Sequence, residues 1–166
     1  MEKKRYHNKQ KSFLFNRQMN DEYFIEVLKG LQLKATQKRL AVLSVLSSEQ
    51  AYASPEEIWK KLKRRLKTIG LPTVYRILEE LSEKGVVAQI IHPSRQLYYY
   101  YCGNAGHHHH FICVSCRKVE DLKFCASREI ENEVSRSLKG RVLSHILQIN
   151  GLCEPCSRKK GGINVF

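Results

Sequence analysis

Two cysteine pairs, Cys113-x-x-Cys116 and Cys153-x-x-Cys156, constrain this chain more than any other feature. Each pair sets two thiols three residues apart, the spacing at which a tight loop closes on one tetrahedral ion. Together they predict a four-thiolate zinc site. The 36 residues between the pairs exceed the span of a compact zinc ribbon, so the ion would pin the end of a domain back onto its start. Four thiolates leave no open coordination position, so this site supports structure and not catalysis. Redox pairs or buried apolar cysteines are the competing readings, and two such spacings in a reducing compartment favour metal.

A second motif lies just ahead of the first pair. His107-His108-His109-His110 runs directly into Phe111-Ile112-Cys113, which places it inside a domain. On a strand, alternation sends His108 and His110 to one face and His107 and His109 to the other. One motif then seeds two metal sites. For the first face the nearest soft donor is Cys102, and a thiolate with two imidazoles favours zinc over harder ions. For the second face the candidates are Glu129, on a following helix, and His145, in a late strand. Cys125 reads as a small residue at that helix's entrance.

The rest of the chain shows what these sites serve. Its formal charge is +13 and its pI about 9.6, a balance drawn to polyanions, above all nucleic acid, which the resemblance given below narrows to double-stranded DNA. An anionic membrane would satisfy the same charge, but no amphipathic helix stands apart from a core. No apolar run is long enough to span a bilayer or form a signal-peptide core, so the expected location is the cytoplasm, with no membrane partner.

Residues 1–20 read as a flexible basic arm, and residues 21–102 as a winged-helix DNA-binding domain. Tyr23, Phe24, Val27, Leu28 and Leu31 recur at helical spacing, and Leu40, Leu43 and Leu46 mark a second helix. Ser54-Pro55-Glu56-Glu57 is a capping box opening a third helix that buries Ile58, Trp59, Leu62 and Leu66. Pro72 begins a fourth, with a stripe of Val74, Ile77, Leu78 and Leu81 that leaves Thr73, Tyr75 and Arg76 outward. Two apolar runs, 86–91 and 97–101, flank a turn at 92–96 and predict a hairpin. Residues 103–106 read as a hinge, 107–158 as a metal-binding domain, which the resemblance given below makes the dimerisation domain, and 159–166 as a tail. That domain is expected to hold strands near 109–115 and 142–149 around a helix at 127–138. The fold class is therefore α+β: a winged helix-turn-helix, then a small α/β domain with a four-cysteine zinc site.

These residues resemble the ferric uptake regulator family of bacterial metal-dependent repressors. The resemblance rests on Thr36-x-x-Arg39, on Pro72-Thr73-Val74-Tyr75-Arg76-Ile77-Leu78, on the histidine run entering Cys113-x-x-Cys116, and on His145 before Cys153-x-x-Cys156. It covers roughly residues 21–158. It implies a homodimer whose winged helices each read half of a palindromic operator, with Lys34, Arg39, Thr73, Tyr75 and Arg76 on DNA. It also implies structural zinc on Cys113, Cys116, Cys153 and Cys156. A regulatory zinc or other divalent metal would sit on Cys102, His108 and His110, with His92 of the hairpin as a candidate further ligand. A second regulatory site would use His107, His109, Glu129 and His145. Where iron sensors carry carboxylates, this chain has Cys102 and His109, so it is most similar to the zinc uptake regulator branch. The expected role is zinc-dependent repression of metal-uptake genes. The alternatives are an iron, other divalent-metal or peroxide sensor, or a zinc-stabilised nucleic-acid module without sensing. A zinc hydrolase lacks its His-Glu-x-x-His helix, so neither enzymatic activity nor a small organic substrate is expected.

Overall fold

The computed structural model describes residues 21–48, 51–103, 106–122 and 124–159. The arm expected at 1–20, residues 104–105 of the hinge and nearly all of the 159–166 tail lie outside the described residues. Four helices come first: α1 (Asp21–Gly30), α2 (Gln37–Ser48), α3 (Pro55–Lys63) and α4 (Leu71–Glu83). Their apolar periods meet in one core. Phe24, Leu28, Leu43, Leu46, Ile58, Leu62, Val74, Leu78 and Leu81 are almost wholly buried there, with Tyr23, Val27, Leu40 and Trp59 packed around them.

Local chemistry sets the helix ends. At α3 the Glu57 amide donates to Ser54 Oγ (3.2 Å) while the Ser54 amide donates to Glu57 Oε2 (2.9 Å), the reciprocal cap expected from the sequence. At the end of α4, Gly85 adopts φ +71°, and the Val86 amide reaches back to the Leu81 carbonyl (3.0 Å). That closes the helix with a left-handed glycine and turns the chain into a hairpin.

Strands β1 (Val87–Ile91) and β2 (Leu97–Tyr101) pair antiparallel in the register Val87↔Tyr101 to Ile91↔Leu97. The two faces of β2 serve different cores. Tyr99 and Tyr101 point into the helical core, while Tyr98 joins Tyr52, Ile90, Ile112 and Val119 in a second cluster. Ile112 and Val119 belong to a second sheet, so this small cluster joins the wing to the C-terminal unit.

That second sheet has the order β4-β3-β5, formed by β3 (His109–Cys113), β4 (Val119–Leu122) and β5 (Gln148–Gly151). β4 runs antiparallel to β3 and β5 parallel to it. Helix α5 (Ser127–Ser137) fills the crossover, and α6 (Glu154–Lys159) follows β5. The architecture is thus α+β, as expected. Three details differ from expectation. β4 and α6 are new, and the late strand is confined to 148–151, residues 141–147 forming no regular element. β4 carries two adjacent acids, and α6 has only six residues. Both fall below the length at which periodicity separates an element from a loop.

Leu78 is fully buried where α4 meets the other helices. Leu78→Ala should lower stability by about 2–5 kcal/mol, and Ser54→Ala by about 1 kcal/mol. Urea denaturation monitored by far-UV circular dichroism checks both, with the larger midpoint shift expected for Leu78→Ala.

Candidate metal centres and nucleic-acid interface

The parallel pairing of β3 with β5 sets Cys113 opposite Gly151, two residues before Cys153. The Cys113–Arg117 turn closes through the Arg117 amide to the Cys113 carbonyl (2.9 Å), and the Cys153–Cys156 turn through the Cys156 amide to the Cys153 carbonyl (2.9 Å). The result is a knot of four sulfurs all within 4.8 Å of one another. Cys116 Sγ and Cys153 Sγ stand 3.5 Å apart. Sulfurs held by zinc at about 2.3 Å would be roughly 3.8 Å apart at tetrahedral angles, so the donor set fits that ion. Burial alone would raise the Cys113 thiol, but the backbone amides of Cys116, Cys153 and Ser115 outweigh it and bring its pKa to about 6. One thiolate in the knot is thus favoured, while burial and the neighbouring sulfurs hold the Cys116 and Cys153 thiols above their ordinary value. At Gly151 an added Cβ would lie 2.8 Å from the Phe111 ring, so a larger residue there would require that ring to shift.

Strand alternation splits the histidine run as expected. On one face His108 Nε2 lies 3.0 Å from His110 Nε2 and 3.0 Å from Cys102 Sγ, with Cys102 to His110 at 3.7 Å. His108 Nδ1 is 2.6 Å from the Gly106 carbonyl, so it carries the ring proton and leaves the Nε2 lone pair facing the cluster. Asp121 of β4 sits opposite His110 in the register, its carboxylate 3.7 Å from His110 Nε2 and 3.9 Å from His108 Nε2. Asp121 is absent from the sequence expectation because β4 itself is absent from it; the register, not the residue type, brings it here. His92 is not part of this group. Its Nδ1 engages Ser94 at 2.8 Å within the hairpin turn, and its ring packs on Tyr52 and Tyr98.

On the other face His107, His109, His145 and Cys125 converge, their donor atoms again within 4.8 Å. His145 Nε2 is 3.3 Å from His109 Nε2, and Cys125 Sγ is 3.3 Å from both His107 and His145. The place expected for Glu129 is thus taken by Cys125. Glu129 lies in the first turn of α5 and is exposed, while Cys125, just ahead of the helix, faces the sheet. A cysteine two residues before a predicted helix is the available signal. Burial, reinforced by His107 and His145, holds the His109 imidazole below its ordinary pKa, and burial with His108 does the same at His110. Both rings are therefore neutral near pH 7, as ligation requires.

On the helical side, Tyr75 and Arg76 are exposed on α4, Thr73 is half-buried beside them, and Lys34 is exposed ahead of α2. Tyr75 Oη donates to Glu56 Oε1 on α3 (2.6 Å). Arg39 makes contacts within the fold. Its guanidinium forks onto Glu80 of α4 (2.5–3.1 Å) and donates to the Lys34 carbonyl (2.7 Å). It is a strut from α2 to α4.

A winged helix carrying outward polar residues, joined to thiol and imidazole clusters, defines a metal-responsive DNA-binding repressor. Residues 30–150 match the profile of the ferric uptake regulator family. A ferric uptake regulation protein of Staphylococcus epidermidis is 30% identical over 141 residues, covering 85% of this chain and 99% of its own. Two solved structures share the fold. A zinc uptake regulator complexed with zinc and DNA matches with a TM-score of 0.70 at 22% identity, over 84% of this chain and 94% of that one. The Helicobacter pylori ferric uptake regulator, whose structure reveals three functional metal binding sites, matches at 0.56 and 26% identity, over 82% and 90%. The chain belongs to the ferric uptake regulator family.

Arg39→Ala leaves Glu80 without its partner in a partly buried position, and stability should fall by about 1–3 kcal/mol. Arg39→Lys should recover little, because an ammonium cannot reproduce the two-pronged contact. Denaturant midpoints of the two variants check this.

Proposed function

We propose that this protein is a zinc-sensing repressor that acts as a homodimer on palindromic operators and controls metal-uptake genes. The observation that carries the reading is the donor chemistry: each histidine-built cluster includes a sulfur, Cys102 in one and Cys125 in the other. Thiolate with imidazole suits zinc, whereas manganous ion favours carboxylate oxygens and ferrous sites pair imidazoles with a carboxylate. In this reading Cys113, Cys116, Cys153 and Cys156 hold structural zinc. Cys102, His108 and His110 form the regulatory site with Asp121 as a further ligand, and His107, His109, Cys125 and His145 form a second.

The bound ion would supply a divalent charge at which Cys102 and the strand histidines meet. The Cys102 amide donates to the Val86 carbonyl (3.0 Å), at the junction of α4 and the wing, while His110 belongs to β3. Drawing these donors together ties the end of the recognition helix to the C-terminal sheet. A coupling of about 1–3 kcal/mol through that tie would change DNA affinity by roughly 5- to 150-fold.

Pairing of two copies is supported by outward-facing apolar residues on the C-terminal unit. Leu138 (74% exposed), Leu143 (82%), Ile146 (97%) and Phe124 (71%) face outward, and α5 has no buried residue. The DNA-facing set is Tyr75 and Arg76 on α4 with Thr73 and Lys34 beside them, on a chain of charge +13. A second reading, iron sensing, draws on the Asp121 carboxylate beside His108 and His110.

Duplexes enriched by the protein from a random pool at buffered zinc supply the probe. Their affinity should rise roughly 5- to 150-fold between zinc-free and zinc-replete buffer, and Cys102→Ser should remove the response while keeping the four-cysteine zinc. An equal response to ferrous iron at its own buffered level, retained in Cys102→Ser, would favour the iron reading instead. Ile146→Glu should turn a dimer into a monomer in light scattering and weaken binding to two-half-site duplexes.

A further inference from the structure

Arg117 joins the four-cysteine knot to the DNA-binding helices. It follows Cys116 directly and holds a left-handed backbone at φ +64°, which costs a residue with a side chain about 1–2 kcal/mol. A strained non-glycine residue points to a side chain with a task. The Arg117 side chain leaves the C-terminal unit, donates from Nη1 to Glu57 Oε1 (2.7 Å), and lies over the rings of Tyr98 (5.3 Å) and Tyr52 (5.8 Å). Its own carbonyl accepts from the Tyr52 amide (3.3 Å), and the next residue, Lys118, makes an isolated β-bridge to Ala51.

The partner is as telling as the contact. Glu57 uses its other oxygen in the reciprocal cap that starts α3. Glu56, its neighbour, accepts from the hydroxyl of Tyr75 on the recognition helix. One short chain of contacts therefore runs from the cysteine loop, through Arg117, to the first turn of α3 and on to a side chain on the proposed DNA-facing surface. Both members of the ion pair are about two-fifths exposed, so the pair by itself adds little stability. Its geometry, bracketed by two tyrosine rings and a backbone hydrogen bond, suits orientation better than cohesion.

We propose that Arg117 is a positioning residue through which the four-cysteine loop fixes the orientation of the winged helix. The loop then does more than staple its own sheet: its closed form presents Arg117 to Glu57 and sets how α3 and α4 face a duplex. The DNA part of this inference rests on the proposed function; the link between loop and helix does not.

The test uses the full-length protein loaded with zinc, in three variants. Arg117→Gly deletes the side chain and relieves the left-handed backbone, Glu57→Gln keeps the helix cap but removes the charge, and Arg117→Lys keeps a cation within reach of Glu57 while leaving the cap untouched. Amide hydrogen exchange over residues 52–58 reads the link without DNA, and elemental analysis reads the four-cysteine site. With zinc content unchanged, Arg117→Gly and Glu57→Gln should both exchange roughly tenfold faster in this segment. They should also bind the enriched duplexes roughly 5- to 20-fold more weakly at saturating zinc, and Arg117→Lys should keep most of the wild-type exchange and affinity. Wild-type exchange in Arg117→Gly and Glu57→Gln would overturn the link. Faster exchange with wild-type affinity would overturn the role in DNA binding while leaving the contact intact. If Arg117→Gly loses zinc, Glu57→Gln, which leaves the cysteine loop untouched, decides the matter alone.

Discussion

Side chains on an extended strand point alternately to opposite faces, and β3 organises the C-terminal unit with that rule. The strand and the two histidines that lead into it divide between two clusters, His108 and His110 on one side, His107 and His109 on the other, and its last residue, Cys113, enters a third. Among the described residues, each of the three donor clusters draws on this segment. β4 brings Asp121 by antiparallel register, and β5 brings Cys153 by parallel register. The remaining donors, Cys102, Cys116, Cys125, His145 and Cys156, come from the segments that enter and leave the strands.

The wing strand β2 uses the same rule for a different end. Tyr99 and Tyr101 fill the helical core, and Tyr98 fills the cluster shared with Ile112 and Val119. A strand buried on both faces is hard to displace, so a change at the sheet is carried to the helices as a movement of packed bodies. Contacts at its rim point the same way. Gln148 of β5 bonds both the amide and the carbonyl of Ile91 (3.1 and 2.7 Å), clasping the outer end of the hairpin to the sheet.

Where residues carry their own signal, the sequence is sufficient. The helices of the N-terminal unit, the cap at Ser54, the hairpin and the gathering of four cysteines follow from periodicity, capping chemistry and spacing. Failures fall where position depends on pairing. Asp121 is an ordinary acid in a short polar strand until β4 is laid against β3. Glu129 is favoured over Cys125 by residue type, a carboxylate on a helix being a familiar ligand, yet the chain presents the residue just ahead of that helix. The Arg39–Glu80 pair is likewise silent in the sequence, because only the folded arrangement of α2 against α4 brings Glu80 within reach.

The histidine run has a consequence for how the strand finds its place. Four identical residues in succession are indistinguishable to their neighbours, so a shift of β3 by two positions would still offer imidazoles to both faces. The run supplies donors but no address. The address comes from its downstream end, where Gly151 lets the Phe111 ring lie close against the backbone and Cys113 meets Cys153. The four-cysteine closure is in that sense the index mark of the sheet: it selects which two histidines meet Cys102 and which two meet Cys125.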